Sequence, residues 1–242
     1  IPLLTVMAFF WLFARDGPEQ PAPRPLSAYL DVLKVGDAWW FCLLYGITFG
    51  GFVGLASFLN VFFLSQYGVS RVEAGNFATL CVIAGSALRP FGGHLADRFG
   101  GVRVLTALFL AAGAFLFGLA TSPALFAGTA LLFLTMAALG MGNGAVFQLV
   151  PLRFPREIGV VTGFVGAAGG LGGFLLPTAL GVLKQFTDGF GLGFLAFAVF
   201  GGLGGATVLS FASRKWRGIL IDGEERDEAA RPALRPEPQG VA

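Results

Sequence analysis

The chain has 242 residues, 55% hydrophobic and only 12% charged, with a mean hydropathy of +0.77, whereas an ordinary soluble domain carries about 25% charged residues. That balance excludes a soluble globular domain and predicts an integral membrane protein; a net charge of +2 gives no support to nucleic-acid binding. Cys42 and Cys81 both stand inside apolar runs, so neither reads as half of an extracellular disulfide framework.

Residues 1–13 are apolar but fall short of the roughly 20 needed to cross a bilayer. They also lack the basic region that opens a signal peptide, so they read as the end of a preceding transmembrane helix. Residues 14–37 are expected to be an interdomain linker. Its prolines, Pro18, Pro21, Pro23 and Pro25, rule out a continuous helix, while 27–34 has the pattern of a short amphipathic helix on the membrane surface. Six apolar segments follow, near 38–66, 74–96, 102–120, 124–150, 158–183 and 190–213. Each is long enough for about 30 Å of hydrocarbon at 1.5 Å per residue. Transmembrane strands run about 10 residues with alternating polarity, a pattern absent here. The expected fold is therefore all-α, a polytopic membrane protein whose residues 38–213 form a six-helix bundle. The mixed-charge segment 214–242 cannot bury enough surface to fold and is expected to be a disordered tail.

Lysine and arginine set the orientation. Thirteen of the sixteen fall in the linker, in alternate turns (Arg98, Arg103, Arg153, Arg156) or in the tail; Arg71 and Lys184 fall on the other side, and Arg89 lies between. The positive-inside rule places linker and tail in the cytoplasm.

Arg89 is the anomaly. It lies eight residues before Asp97, roughly 12 Å up the helix from the turn. A charge at that depth costs at least about 2.5 kcal/mol, so it marks function by default. Either a carboxylate neutralises it or an exogenous anion does. All fourteen acidic residues lie in loops, in the tail or at helix ends, which favours the anion.

In the first span Tyr45, Phe49 and Phe52 share a helical face beside the stripe Gly46, Gly50, Gly54. The phenol of Tyr45 wants a hydrogen-bond partner at mid-membrane. A guanidinium fork with aromatic faces suits a flat, delocalised anion. In the fourth span Asn143 and Gln148 flank Phe147; they either line the same cavity or bond a neighbouring helix. The fifth span carries Gly163, Gly166, Gly169, Gly170, Gly172 and Gly173 ahead of Pro177, each glycine weakening the helix by about 1 kcal/mol relative to Ala. Such a run serves tight packing, through Gly166 with Gly170 and Gly169 with Gly173, or a helix that slides or bends and offers bare backbone to a small ligand.

Gly93-His94-Leu95-Ala96-Asp97-Arg98-Phe99-Gly100 resembles the G-x-x-x-D-R-x-G loop signature of the major facilitator superfamily. The basic pair that usually follows the glycine is replaced by Gly101-Val102-Arg103, which leaves Arg103 as its equivalent. The run from Gly163 to Pro177 resembles the second signature of the nitrate/nitrite porter family, and Arg89-Pro90, Tyr45 and Phe49 match positions that contact the anion there. The resemblance covers 38–213. It implies the C-terminal half of a twelve-helix transporter, a cavity between two halves with one arginine from each, and rocking of the halves.

On that resemblance Arg89, Tyr45, Phe49, Phe147, Asn143, Gly166 and Gly169 would bind nitrate or nitrite. Gly93, Asp97, Arg98, Arg103, Gly163, Gly170, Gly172 and Gly173 would serve gating and movement. The expected partners are the small anion, the lipid bilayer and an N-terminal six-helix half outside this chain, with no cofactor or metal. His94, the sole histidine, stands at a helix end, and no mid-membrane Asp or Glu is present to relay protons. That favours nitrate/nitrite exchange over proton-coupled nitrate uptake; a major facilitator exporter of another solute or organic anion is the other alternative, and it would not be expected to show the fifth-span glycine run with Arg89. One histidine without nearby thiols or carboxylates makes no catalytic constellation, so no enzyme is expected.

Overall fold

A computed structural model describes residues 2–14, 31–155, 157–187, 189–214 and 216. Among them every regular element is helical. The first, α1 (Pro2–Phe13), is a twelve-residue apolar helix within a unit that ends at Asp31. The linker reading of 14–37 lies largely outside the described residues, of which Asp31–Lys34 form a single 3-10 turn. The tail reading lies outside them too, apart from Arg214 and Trp216.

The second unit, from Val32 onward, holds α2 (Gly36–Tyr67), α3 (Arg71–Ala87), α4 (Arg89–Phe99), α5 (Gly101–Ala120), α6 (Leu125–Arg153), α7 (Ile158–Thr187) and α8 (Gly191–Arg214). Five of these, α2, α5, α6, α7 and α8, are long and apolar enough to cross a membrane. The expected continuous span over 74–96 needs correction. α3 stops at Ala87 and α4 starts at Arg89, with Leu88 between them at φ −88° and ψ −2°. Pro90 is the cause: it has no N–H to give the carbonyl of Ser86, and its ring crowds that carbonyl. Arg89 thus opens a helix instead of sitting inside one. Taken together, α3 and α4 still rise roughly 40 Å at 1.5 Å per residue.

Local chemistry fixes the ends. Ser70 and Glu73 form a capping box at the start of α3: the Glu73 N–H donates to Ser70 Oγ at 3.3 Å and the Ser70 N–H donates to Glu73 Oε2 at 2.9 Å. The backbone bond, then the hydroxyl, hold the Glu73 carboxyl below the usual carboxylate range. Gly68 and Gly100, at φ 64° and 90°, end α2 and α4 in left-handed conformations that glycine adopts without strain.

The buried apolar side chains form two clusters. One gathers Phe41, Leu44, Tyr45, Leu105, Phe109, Val146, Leu149, Val165 and Leu209. The other gathers Phe52, Leu55, Leu59, Phe63, Leu116, Leu132, Met136, Leu180 and Phe194. Between them runs a layer of a different kind, close to the midpoint of each long helix: Thr48, Gly50 and Gly51 on α2, Gly140 to Gly144 on α6, and Gly169 to Gly173 on α7. The α3–α4 break falls in that layer.

Glycine makes the layer thin. A Cβ at Gly50 would stand 2.6 Å from Gly172 Cα, and one at Gly54 2.8 Å from Leu176 Cβ, so α2 and α7 meet almost backbone to backbone. One end of the bundle is closed by the Arg153–Asp37 ion pair, Nε to Oδ2 at 2.7 Å, with Asp37 buried. There Trp216 stacks on Phe41 at 4.8 Å and 7°.

Gly50→Ala is expected to lower the melting temperature of the purified protein, a destabilisation of about 1–3 kcal/mol from overpacking. Gly75→Ala, whose Cβ would meet nothing within 4 Å, is expected to leave it unchanged or raise it. Fluorescence-monitored melting of the two variants checks the pair.

Candidate functional site

Arg89 emerges from the α3–α4 break into the glycine layer. Its guanidinium carbon lies 5.2 Å from the centroid of Phe49 and 4.9 Å from that of Phe52, so the cation faces two rings of α2 one turn apart. Its Nε is buried without a hydrogen-bond partner. Among the described residues no salt bridge joins Arg89 to a carboxylate; Asp37, on the same helix as those rings, is paired with Arg153 instead.

The backbone of Arg89 is pinned from behind. A Cβ at Gly144 of α6 would collide with the Arg89 carbonyl oxygen and stand 2.7 Å from the Gly93 nitrogen, and Gly92 packs as tightly on Met141. These glycines let α4 lie directly on α6, which fixes the point from which the arginine side chain reaches α2. Gly93 of the loop motif lies against the same seat, where a Cβ would meet the Gly144 oxygen at 3.8 Å, an ordinary contact distance.

The aromatic wall continues from Phe49. Tyr45 stacks on it with centroids 5.0 Å apart and planes 4° apart, and Phe147 meets Tyr45 edge-on at 4.7 Å and 69°. Gly169 of α7 leaves room for that stack, since a Cβ there would stand 2.7 Å from the Tyr45 ring and 2.8 Å from that of Phe49. The same layer holds two more orphan polar groups, the Asn143 amide, whose Nδ2 and Oδ1 are both unpartnered, and the Thr48 hydroxyl. Both residues are at most 2% exposed. Each such group costs about 1–3 kcal/mol when buried unmade, so the layer is short of hydrogen-bond partners.

The structure thus brings together Arg89, Tyr45, Phe49, Phe147 and Gly169, with Asn143 in the same layer. Gln148 stands apart, its Oε1 against Gly101 at the start of α5. The glycine run of α7 divides. Gly169, Gly172 and Gly173 pack on α2, whereas a Cβ at Gly163, Gly166 or Gly170 would meet nothing within 4 Å. Asp97, Arg98 and Arg103 are exposed at the far end of α4 and the start of α5, as is His94. Arg98 lies over the ring of its neighbour Phe99 at 5.4 Å.

Two contributors escaped the sequence reading, and a third was placed on the aromatic face but not in the site. Phe52 shares the face of Phe49, but a third ring in an apolar span reads as packing. Thr48 gave no signal, because a membrane-helix hydroxyl ordinarily bonds the carbonyl four residues back, as Thr106, Thr129 and Thr135 do here. Gly144 was one glycine among 37.

A family model described as Major Facilitator Superfamily matches residues 1–177. The chain belongs to the major facilitator superfamily. Among curated proteins this facilitator is 35% identical over 202 residues to the "Nitrite extrusion protein" of Bacillus subtilis, covering 81% of the chain and 50% of that protein. It is 39% identical over 178 residues to the "Probable nitrate/nitrite transporter NarK2" of Mycobacterium tuberculosis, covering 72% and 45%. To the "Probable nitrate/nitrite antiporter NarK1" of Thermus thermophilus it is 32% identical over 208 residues, covering 76% and 46%. The chain spans about half the length of the curated relatives it matches. The names of the family and of these relatives are those of membrane transporters rather than enzymes.

Replacing an unpaired, half-buried cation by an apolar side chain relieves the desolvation of its buried part. Arg89→Leu is therefore expected to raise the melting temperature of the anion-free protein by a few degrees while abolishing any anion-induced shift. A lowered melting temperature would mean that the guanidinium is held by a protein carboxylate.

Proposed function

We propose that this chain supplies one half of a nitrate and nitrite transporter that works by alternating access, and that Arg89 is its anion-binding cation. One observation carries the reading: a guanidinium between two aromatic rings, with a buried unpartnered Nε and no described carboxylate paired to it. A nitrate or nitrite ion satisfies such a group twice, by charge and by hydrogen bonds in the plane of the fork. The names of the curated relatives support the same class of cargo.

In this reading Tyr45 donates its O–H to the anion, and Phe49 and Phe147 flank it. Asn143 supplies a neutral donor, Gly169 leaves room for the ring stack that walls the ion, and Gly166 offers bare backbone on the open face of α7. The open glycines Gly163, Gly166 and Gly170 belong to the face of α7 turned from α2, while Gly172 and Gly173 form a smooth contact along which α7 can shift. Asp97, Arg98 and Arg103 form a charged latch at the cytoplasmic end, with Gly93 seating it on α6. An N-terminal six-helix half with its own arginine completes the cavity, and linker and tail lie in the cytoplasm.

Exchange of nitrate for nitrite is the coupling favoured. Asp37, Glu73, Asp97 and Glu157 all stand at helix ends, so no described carboxylate occupies the middle layer to carry a proton. In proteoliposomes of the full transporter, nitrate uptake is expected to require internal nitrite or nitrate and to ignore an imposed pH gradient. Uptake into anion-free vesicles driven by that gradient would replace exchange with proton coupling.

Arg89→Lys keeps the charge and loses the fork. Losing one charged hydrogen bond of about 1.5–3 kcal/mol corresponds to a fall in kcat/KM for nitrate of roughly 10- to 100-fold. Wild-type uptake by the lysine variant would remove Arg89 from the site.

A further inference from the structure

Between two of the membrane-spanning helices lies a feature that the anion site around Arg89 does not use. A groove of about 230 Å³ lies between α5 and α8, lined by Leu110, Gly113, Ala114, Phe117, Val199 and Leu203 together with Ala198. Its floor is the π-helical stretch Ala198–Leu203. A π turn departs from regular helix and recurs at functional positions. The groove is too small to enclose a drug-sized ligand. Leu110, Phe117, Val199 and Leu203 are all exposed along it, and in a membrane that exposure is to lipid.

Both walls lead to an arginine. Leu110, Gly113, Ala114 and Phe117 follow helical spacing, and the same stripe continued seven residues back reaches Arg103. On α8 the stripe from Leu203 continues through Thr207 and Ser210 to Arg214, eleven residues on; all four are exposed. The two helices are antiparallel. A Cβ at Gly113 would stand 3.2 Å from Gly202 Cα, and one at Gly205 2.9 Å from the Phe109 ring. That register puts Arg103 level with Phe211, three residues, or about 5 Å, from the height of Arg214. The mouth of the groove at Leu110 lies about 10 Å deeper than Arg103. Neither arginine pairs with a described carboxylate.

We propose that this groove binds an acyl chain of an anionic phospholipid whose phosphate is held by Arg103 and Arg214. The occupant follows from the complementarity of the two ends: an apolar trough at the depth of hydrocarbon and two unpaired guanidinium groups at the depth of headgroups on the same face. The site shares no residue with the aromatic wall around Arg89, and it stands whether or not the transported ion is nitrate.

The test is native mass spectrometry of the full-length protein released from detergent, with phosphatidylglycerol or phosphatidylcholine of the same chain composition. Two surface cations predict about a thirtyfold preference for phosphatidylglycerol. The Arg103→Gln/Arg214→Gln variant is expected to lose that preference. Ala114→Trp, at an exposed wall position, fills the trough and leaves both arginines in place; it is expected to lower phosphatidylglycerol retention too. Equal retention of the two lipids by the wild type, or full retention by either variant, would overturn the proposal. So would displacement of the lipid by inorganic phosphate alone, since the chain would then contribute nothing. A dimer abolished by Ala114→Trp would seat a second copy in the groove and overturn it equally.

Discussion

The middle of this bundle is organised around a guanidinium that pairs with no described carboxylate. The Arg89 guanidinium faces Phe49 and Phe52, yet ring quadrupoles supply only part of what water or a carboxylate would give a charge at that depth. Cation–π contact is an economical holding state. It stabilises the guanidinium enough to keep it in the layer, and it is weaker than the proposed pairing with an anion. A carboxylate in the same place would bind permanently and shut the site.

The surrounding layer follows from that need. Two well-packed apolar clusters are separated by a band in which side chains are small, polar or absent. In an apolar solvent, close backbone contact between helices must come from packing rather than from the hydrophobic effect, and glycine permits it. Such contacts have no interlocking side chains to lift over one another, so a helix can shift without unpacking a core. The Gly144 seat under Arg89 and the Gly50–Gly172 contact are two instances of one device, close backbone approach permitted by the missing Cβ.

Much of this was legible in the sequence, for reasons that are physical. Length and hydropathy define spans because a bilayer sets a minimum run of apolar residues, and an arginine within such a run declares itself by its cost. Tyr45, Phe49 and Arg89, which the fold brings together, stood out because their spacing and chemistry are unusual in a membrane helix. The break at Leu88 was written in Pro90, but the apolar run on both sides hid it. The division of the α7 glycines between a packed and an open face depends on the angle at which α7 meets α2, and no composition carries an angle. Thr48 and Gly144 lacked a signal because their roles lie in what they fail to bond and in what they leave unfilled. The π-helical turn in α8 likewise has no signature in the string Ala-Val-Phe-Gly-Gly-Leu.

The most direct measurement is a crystal structure of the full-length protein with nitrate, at a resolution that defines side-chain planes. The expected result is planar density in the plane of the Arg89 guanidinium, beside the Tyr45–Phe49 stack, and no carboxylate within hydrogen-bond reach of Arg89. An Arg89 side chain closed on an Asp or Glu from the other half, with nitrate elsewhere or absent, would contradict it.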